Sequence, residues 1–225
     1  MKFTLAQEHI DHFNRTGMIE FYDLFSEQEC EDILTKAENA LIKRVNPTAT
    51  NPLSISSNES LFHYGKNIWK EGVDIKKICA KKQLGETAYH LLRKKPIKLA
   101  YDQYIRTGTL QDCPFKEDGT IQEISSIRPT LAALLILLTP NQLQAPQIGL
   151  PQKAGNALFV SSNVILPLQS LFAETNTSVL MIAFTAGTAL YCLEQRDPHT
   201  HSLKKAGIVF GDRAGEDLCP ILYYP

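Results

Sequence analysis

The chain has 225 residues, 44% of them hydrophobic, with a formal charge of -1 at pH 7. That length and apolar content suit one domain, 1–225, with a sizeable core. The near-neutral balance excludes a protein drawn as a whole to nucleic acid or to an anionic membrane. Five cysteines stand far apart with no CxxC pair, which excludes a zinc ribbon or a thioredoxin-like motif and fits a reducing cytosol.

The first thirteen residues carry polar and acidic side chains where a secretory leader would be apolar. Thr4 with Gln7 fits a capping box, Leu5, Ile10 and Phe13 supply the apolar face of a first helix, and Gly17 closes it. Residues 18–24 read as a short strand. Ser26 with Glu29 forms a second capping box before a helix whose inner face is Cys30, Ile33, Leu34, Ala37 and Leu41. The stretch 46–60 is a loop by composition, long for a compact domain. His63, Tyr64 and Trp69 follow. Asp74 is placed to cap a helix with Ile75, Ile78 and Cys79 inward. Another helical pattern uses Leu84, Ala88, Leu91 and Leu92 and stops before Pro96.

The pattern then changes, dividing a mainly helical part, 1–95, from a β-rich part, 96–225. Residues 97–106 alternate Leu99, Tyr101, Gln103 and Ile105 against Ala100, Asp102, Tyr104 and Arg106. A polar connection covers 107–119, and 121–126 reads as a short strand. The run TLAALLILL (130–138) reads as a strand buried on both faces, and its unbroken apolar part, 131–138, is too short to cross a bilayer. A loop over 140–156 and short strands at 157–160 and 164–168 follow. The last third reads as a strand at 179–184, a turn at Gly187 and a strand at 188–193. A polar loop then presents Asp197, His199 and His201, and further strands lie at 207–210 and 221–224. Helices first and many short strands after predict an α+β fold with an antiparallel sandwich or barrel. No GxSxG elbow, P-loop or Rossmann glycine pattern is present, and Cys113 has no predicted His partner.

The segment FNRTGMIEFYDLFSEQECEDI, with Gly17, Phe25, Ser26, Glu29 and Cys30, resembles the opening of phytanoyl-CoA dioxygenase-like proteins. The strand LAYDQY and the closing order of strand, His loop, strand, Arg are also similar. The resemblance spans most of the chain through patterns rather than fixed strings. It implies a double-stranded β-helix (a jelly-roll, cupin-like barrel) preceded and flanked by helices. It also implies non-haem Fe(II) and 2-oxoglutarate as cofactors, the metal held by two histidines and one carboxylate. Carried over residue by residue, His201 matches the distal iron ligand, with His199 as the alternative. Arg213, twelve residues beyond His201, matches the arginine that binds 2-oxoglutarate through its planar fork.

The first half of that site departs from the pattern. No histidine occurs between Lys95 and Pro140, and the single His-x-Asp string, His9-Ile10-Asp11, lies on the first helix. Asp102, Gln122 and Glu123 are the nearest substitutes, with Asp102 or Glu123 as the metal ligand. The expected function is therefore a degenerate binding or regulatory member of the oxygenase-like fold, cytoplasmic, with a small-molecule partner of unspecified identity, no nucleic acid and no membrane. Two alternatives are an active Fe(II)/2-oxoglutarate dioxygenase with a rearranged metal site and a metal-responsive DNA-binding regulator.

Overall fold

The computed structural model describes residues 5–45, 61–106, 115, 117–139, 149–168 and 177–225. The Thr4 cap, the 46–60 loop, Cys113 and residues 140–148 of the later loop lie outside them. The helices come first. They are α1 (Gln7–Thr16), α2 (Glu27–Val45), α3 (Leu61–Gly65), α4 (Val73–Cys79) and α5 (Lys82–Leu92), with a 3-10 turn at Ile68–Glu71. Strand β1 (Met18–Phe21) intervenes between α1 and α2. The remaining strands are β2 (Ile97–Arg106), β3 (Gly119–Thr120), β4 (Ile127–Leu137), β5 (Ala157–Ser161), β6 (Ile165–Leu166), β7 (Ser178–Tyr191) and β8 (Ile221–Tyr223).

Local chemistry sets several of these boundaries. Gly17 adopts φ 74, and its N–H donates to the Phe13 carbonyl at 2.7 Å, ending α1. The Ser26–Glu29 capping box forms in both directions. Ser26 N–H donates to Glu29 Oε2 at 2.9 Å, and Glu29 N–H to Ser26 Oγ at 3.2 Å. Asp74 does not cap α4. Gly72 holds that position, and Asp74 sits in the first turn, where a carboxylate complements the positive end of the helix.

Six strands form one antiparallel sheet in the order β1-β5-β4-β7-β2-β8, and β3 pairs with β6 in a second, two-stranded sheet. The central strand β7 is one element of 14 residues rather than two strands joined at Gly187. A Cβ at Gly187 would stand 2.9 Å from Pro96 Cδ, so this glycine serves a close approach and not a turn. Residues 207–210 form no strand. The chain there follows a 3-10 turn, Ser202–Ala206, that ends at Gly207 in the left-handed region, φ 79. The expected strand over 121–126 is a turn after the short β3.

Each long strand separates two apolar clusters. Ala132, Leu134 and Ile136 of β4 and Leu180, Ile182 and Phe184 of β7 face the helices. Ala133, Leu135 and Leu137, with Val179, Met181 and Ala183, face the small sheet through Ile121, Leu166 and Leu168. Burying a side chain of this size contributes roughly 1.5–3 kcal/mol, so both faces hold the sheet in place. Strand β2 departs from this alternation. Its register shifts between Leu99 and Tyr101, leaving Ala100 as an inserted residue. Ile97, Leu99 and Tyr104 therefore pack with the helices, while Ala100, Tyr101 and Ile105 pack on the opposite face.

Candidate functional site

An interior ion pair is delivered by the segment between α3 and the following 3-10 turn. Gly65 lets α3 close onto β2, for a Cβ there would lie 2.0 Å from the Tyr104 carbonyl oxygen. Lys66 bridges to Gln103, and Asn67, at φ 57, donates its N–H to the Asp102 carbonyl at 2.7 Å. Arg44 of α2 clamps this segment from behind. Its Nη1 donates to the carbonyls of Tyr64, at 2.9 Å, and Lys66, its Nη2 to Asn67 O at 2.7 Å, and its Nε to Glu71 Oε1 at 2.6 Å.

So held, Lys66 extends its ammonium to Asp197 Oδ1 at 2.9 Å, with side-chain exposures of 9% and 1% for the two residues. The Lys66 Nζ also lies 5.0 Å from the Tyr101 ring centroid, over its electron-rich face. Asp197 accepts two further hydrogen bonds, from His199 N–H to Oδ1 and from Ser126 N–H to Oδ2, both at 2.8 Å. Burial alone raises this carboxyl group, but Lys66 and the N–H donors outweigh burial and hold it below the usual carboxylate range. Burial pulls the Lys66 ammonium down, and Asp197 opposes that pull. One ammonium and two backbone N–H donors on the same carboxylate favour its ionised form.

The loop carrying Asp197 satisfies itself. Thr200 N–H donates to the Asp197 carbonyl at 3.0 Å, Ser126 Oγ donates to Thr200 Oγ1 at 2.9 Å, and the Tyr191 hydroxyl donates to the Thr200 carbonyl. Arg196 anchors the loop to the carbonyls of Glu117 and Asp118, each at 2.9 Å. His199 is half-buried, stacked on the exposed His63 at 4.5 Å between ring centroids, and its buried Nε2 has no hydrogen-bond partner among the described residues. Desolvation, the Lys66 charge and His63 hold its pKa down to about 3, so the imidazole is neutral at neutral pH.

The other candidate residues do not join this pair. The bulge at Ala100 turns Asp102 to the helical side, where Trp69 N–H reaches its Oδ1 at 3.3 Å. Asp102 is wholly buried, and desolvation pushes its pKa to about 7 against the Trp69 N–H, Arg44 and Cys79. Glu123 closes its own turn by accepting from Thr120 N–H at 2.7 Å and pairs with Arg196 at 3.3 Å. His201 is exposed, with its ring 5.9 Å from that of Phe210. Arg213 is exposed and forms an isolated backbone bridge to Leu190. Lys66 was not a candidate on sequence. Its only local sign is a lysine after a glycine in an otherwise aromatic and apolar run, FHYGKNIW.

The Lys66–Asp197 pair itself offers no seat for the iron and 2-oxoglutarate that the sequence resemblance implies. Among the described residues, no group of three or more His, Cys, Asp or Glu is placed to hold a metal ion. The cavity beside the Lys66–Asp197 pair, lined also by Tyr101, Ser125, Ser126 and His199, measures about 30 Å³. That is room for a water molecule or two, whereas small-molecule sites span roughly 300–1,000 Å³.

The chain is similar in fold to solved structures of non-heme alpha ketoglutarate dependent proteins. It matches the non-heme alpha ketoglutarate dependent carbocyclase SnoK from nogalamycin biosynthesis with a TM-score of 0.70 and 12% identity, covering 97% of this chain and 97% of that one. It matches the epimerase SnoN of the same biosynthesis with a TM-score of 0.68 and 11% identity, over 96% of this chain and 98% of that one. CytC3 with Fe(II) and alpha-ketoglutarate aligns at a TM-score of 0.56 and 12% identity, over 85% and 81%. At these identities the likeness is one of fold, helices on a curled antiparallel sheet. No family model and no curated protein matches the sequence.

Proposed function

We propose that this chain is a catalytically degenerate member of the oxygenase-like fold, a binding or regulatory protein that keeps the framework and has lost the metal chemistry. In this reading the six-stranded and two-stranded sheets are the two faces of a double-stranded β-helix, 1–225 is one domain, and the chain groups with the phytanoyl-CoA dioxygenase-like proteins. The protein works in the cytoplasm without nucleic acid. The observation that carries the reading is the Lys66–Asp197 ion pair. An interior carboxylate that would suit a metal instead binds the chain's own ammonium. The dispersal of His201, Asp102, Glu123 and Arg213 supports it further. In consequence, 2-oxoglutarate bound at Arg213 would meet solvent rather than the interior.

Titration calorimetry with Mn²⁺ as a redox-silent substitute for iron, with and without 2-oxoglutarate, tests the reading. The expected result is no saturable heat for either ligand. Stoichiometric Mn²⁺ binding that tightens in the presence of 2-oxoglutarate would refute it and favour an active enzyme with a rearranged site.

A further inference from the structure

We infer that the interior contains a seat for a primary alkylammonium, filled in the native protein by Lys66 acting as an intramolecular ligand. The inference deepens the reading above and rests on it in one respect, that no metal competes for Asp197.

Three features make this a built site rather than a chance ion pair. The first is delivery. A glycine without room for a Cβ, an Asn67 in the left-handed region and an arginine bonded to three carbonyls, those of residues 64, 66 and 67, together fix the backbone that presents Lys66. Holding Asn67 at positive φ carries a backbone cost, tolerated only where the surroundings over-determine it. The second is recognition. A carboxylate 2.9 Å from the nitrogen and an aromatic face 5.0 Å away form the pairing that selects organic ammonium ions over hydrated inorganic ones. The third is pre-organisation. Asp197 is fixed by Ser126 N–H and His199 N–H independently of Lys66, so the acceptor persists when the lysine side chain is shortened. Ordinary packing does not require such a device, because a buried pair is often replaced by apolar residues at no cost to stability.

Lys66→Ala removes three methylenes and the amine, leaving a gap the length of n-propylammonium. Its thermal midpoint should fall by on the order of 10 °C, since an uncompensated carboxylate is left buried. Millimolar n-propylammonium should restore much of that loss in a saturable way, as a ligand that binds only the folded state must. Neither n-propanol nor tetramethylammonium should do so, and Lys66→Ala/Asp197→Asn should not respond. If the single variant does not fold, refolding with and without n-propylammonium replaces the melting curve, and amine-dependent recovery is the expected result. The inference is overturned if the amine gives no more than the alcohol, if the double variant responds equally, or if Mn²⁺ restores stability in place of the amine. Metal binding by the unaltered protein would instead defeat the proposed function, so the two failures are distinguishable.

Discussion

Two ionisable side chains, the buried Asp102 and the half-buried His199, set opposite pH trends at the scale of single residues. Asp102 is pushed by burial from the ordinary 3.8 to about 7. The folded chain therefore keeps a proton that the unfolded chain gives up between those values, and this contribution to stability is lost as pH rises through that window. His199 is held from 6.5 down to about 3. The unfolded chain takes up a proton that the folded chain refuses, so stability is lost as pH falls from 6.5 towards 3. The two slopes oppose each other, and single variants separate them. Asp102→Asn removes the first slope, so its urea midpoint should gain on the parent's progressively from pH 4 to pH 7 and run parallel above that. Parallel midpoints across the whole range would show that Asp102 titrates no differently folded and unfolded.

At the scale of elements, the close contact of α3 with β2 places Lys66. A Cβ at Gly65 meets a backbone carbonyl at 2.0 Å, and backbone cannot move aside as a flexible side chain can. Gly65→Ala should therefore cost about 1–3 kcal/mol, the range for overpacking, and lower the thermal midpoint by about 2–4 °C for each kcal/mol. Gly215→Ala is the matched control, because nothing lies within 4 Å of its added Cβ. Equal midpoints for the two variants would mean that the α3–β2 contact yields without cost. Strand β4 was legible in the sequence because apolar residues on both faces leave an unbroken run, and the Ser26–Glu29 box was legible because its partners are three residues apart. Gly187 misled for a physical reason. Turns and close approaches both select glycine, and only the proximity of Pro96 tells them apart. The face of Asp102 was unreadable as well, since one inserted residue at Ala100 reverses every later side chain of the strand without altering the composition.

At the scale of the whole molecule, the sequence resemblance and the fold comparisons point to the same framework by separate routes. Patterns of strand and loop pointed to an oxygenase-like fold, and SnoK aligns over 97% of the chain at 12% identity. The interior chemistry was much less legible. Asp197 was visible as a loop residue, but its partner Lys66 stands 131 positions earlier, and no periodicity links two residues so far apart. His199 and His201, adjacent in the pattern, end in different surroundings, one stacked against His63 beside the ion pair and the other exposed. The fold thus matches that of the solved neighbours, while the Asp197 charge is already paired with Lys66 within the chain. The most direct test is anaerobic equilibrium dialysis of the protein against Fe(II) and 2-oxoglutarate, with iron measured on both sides of the membrane. The account predicts no iron retained by the protein above the buffer level. One iron per chain, lost on substituting Asp197 or His199, would contradict it.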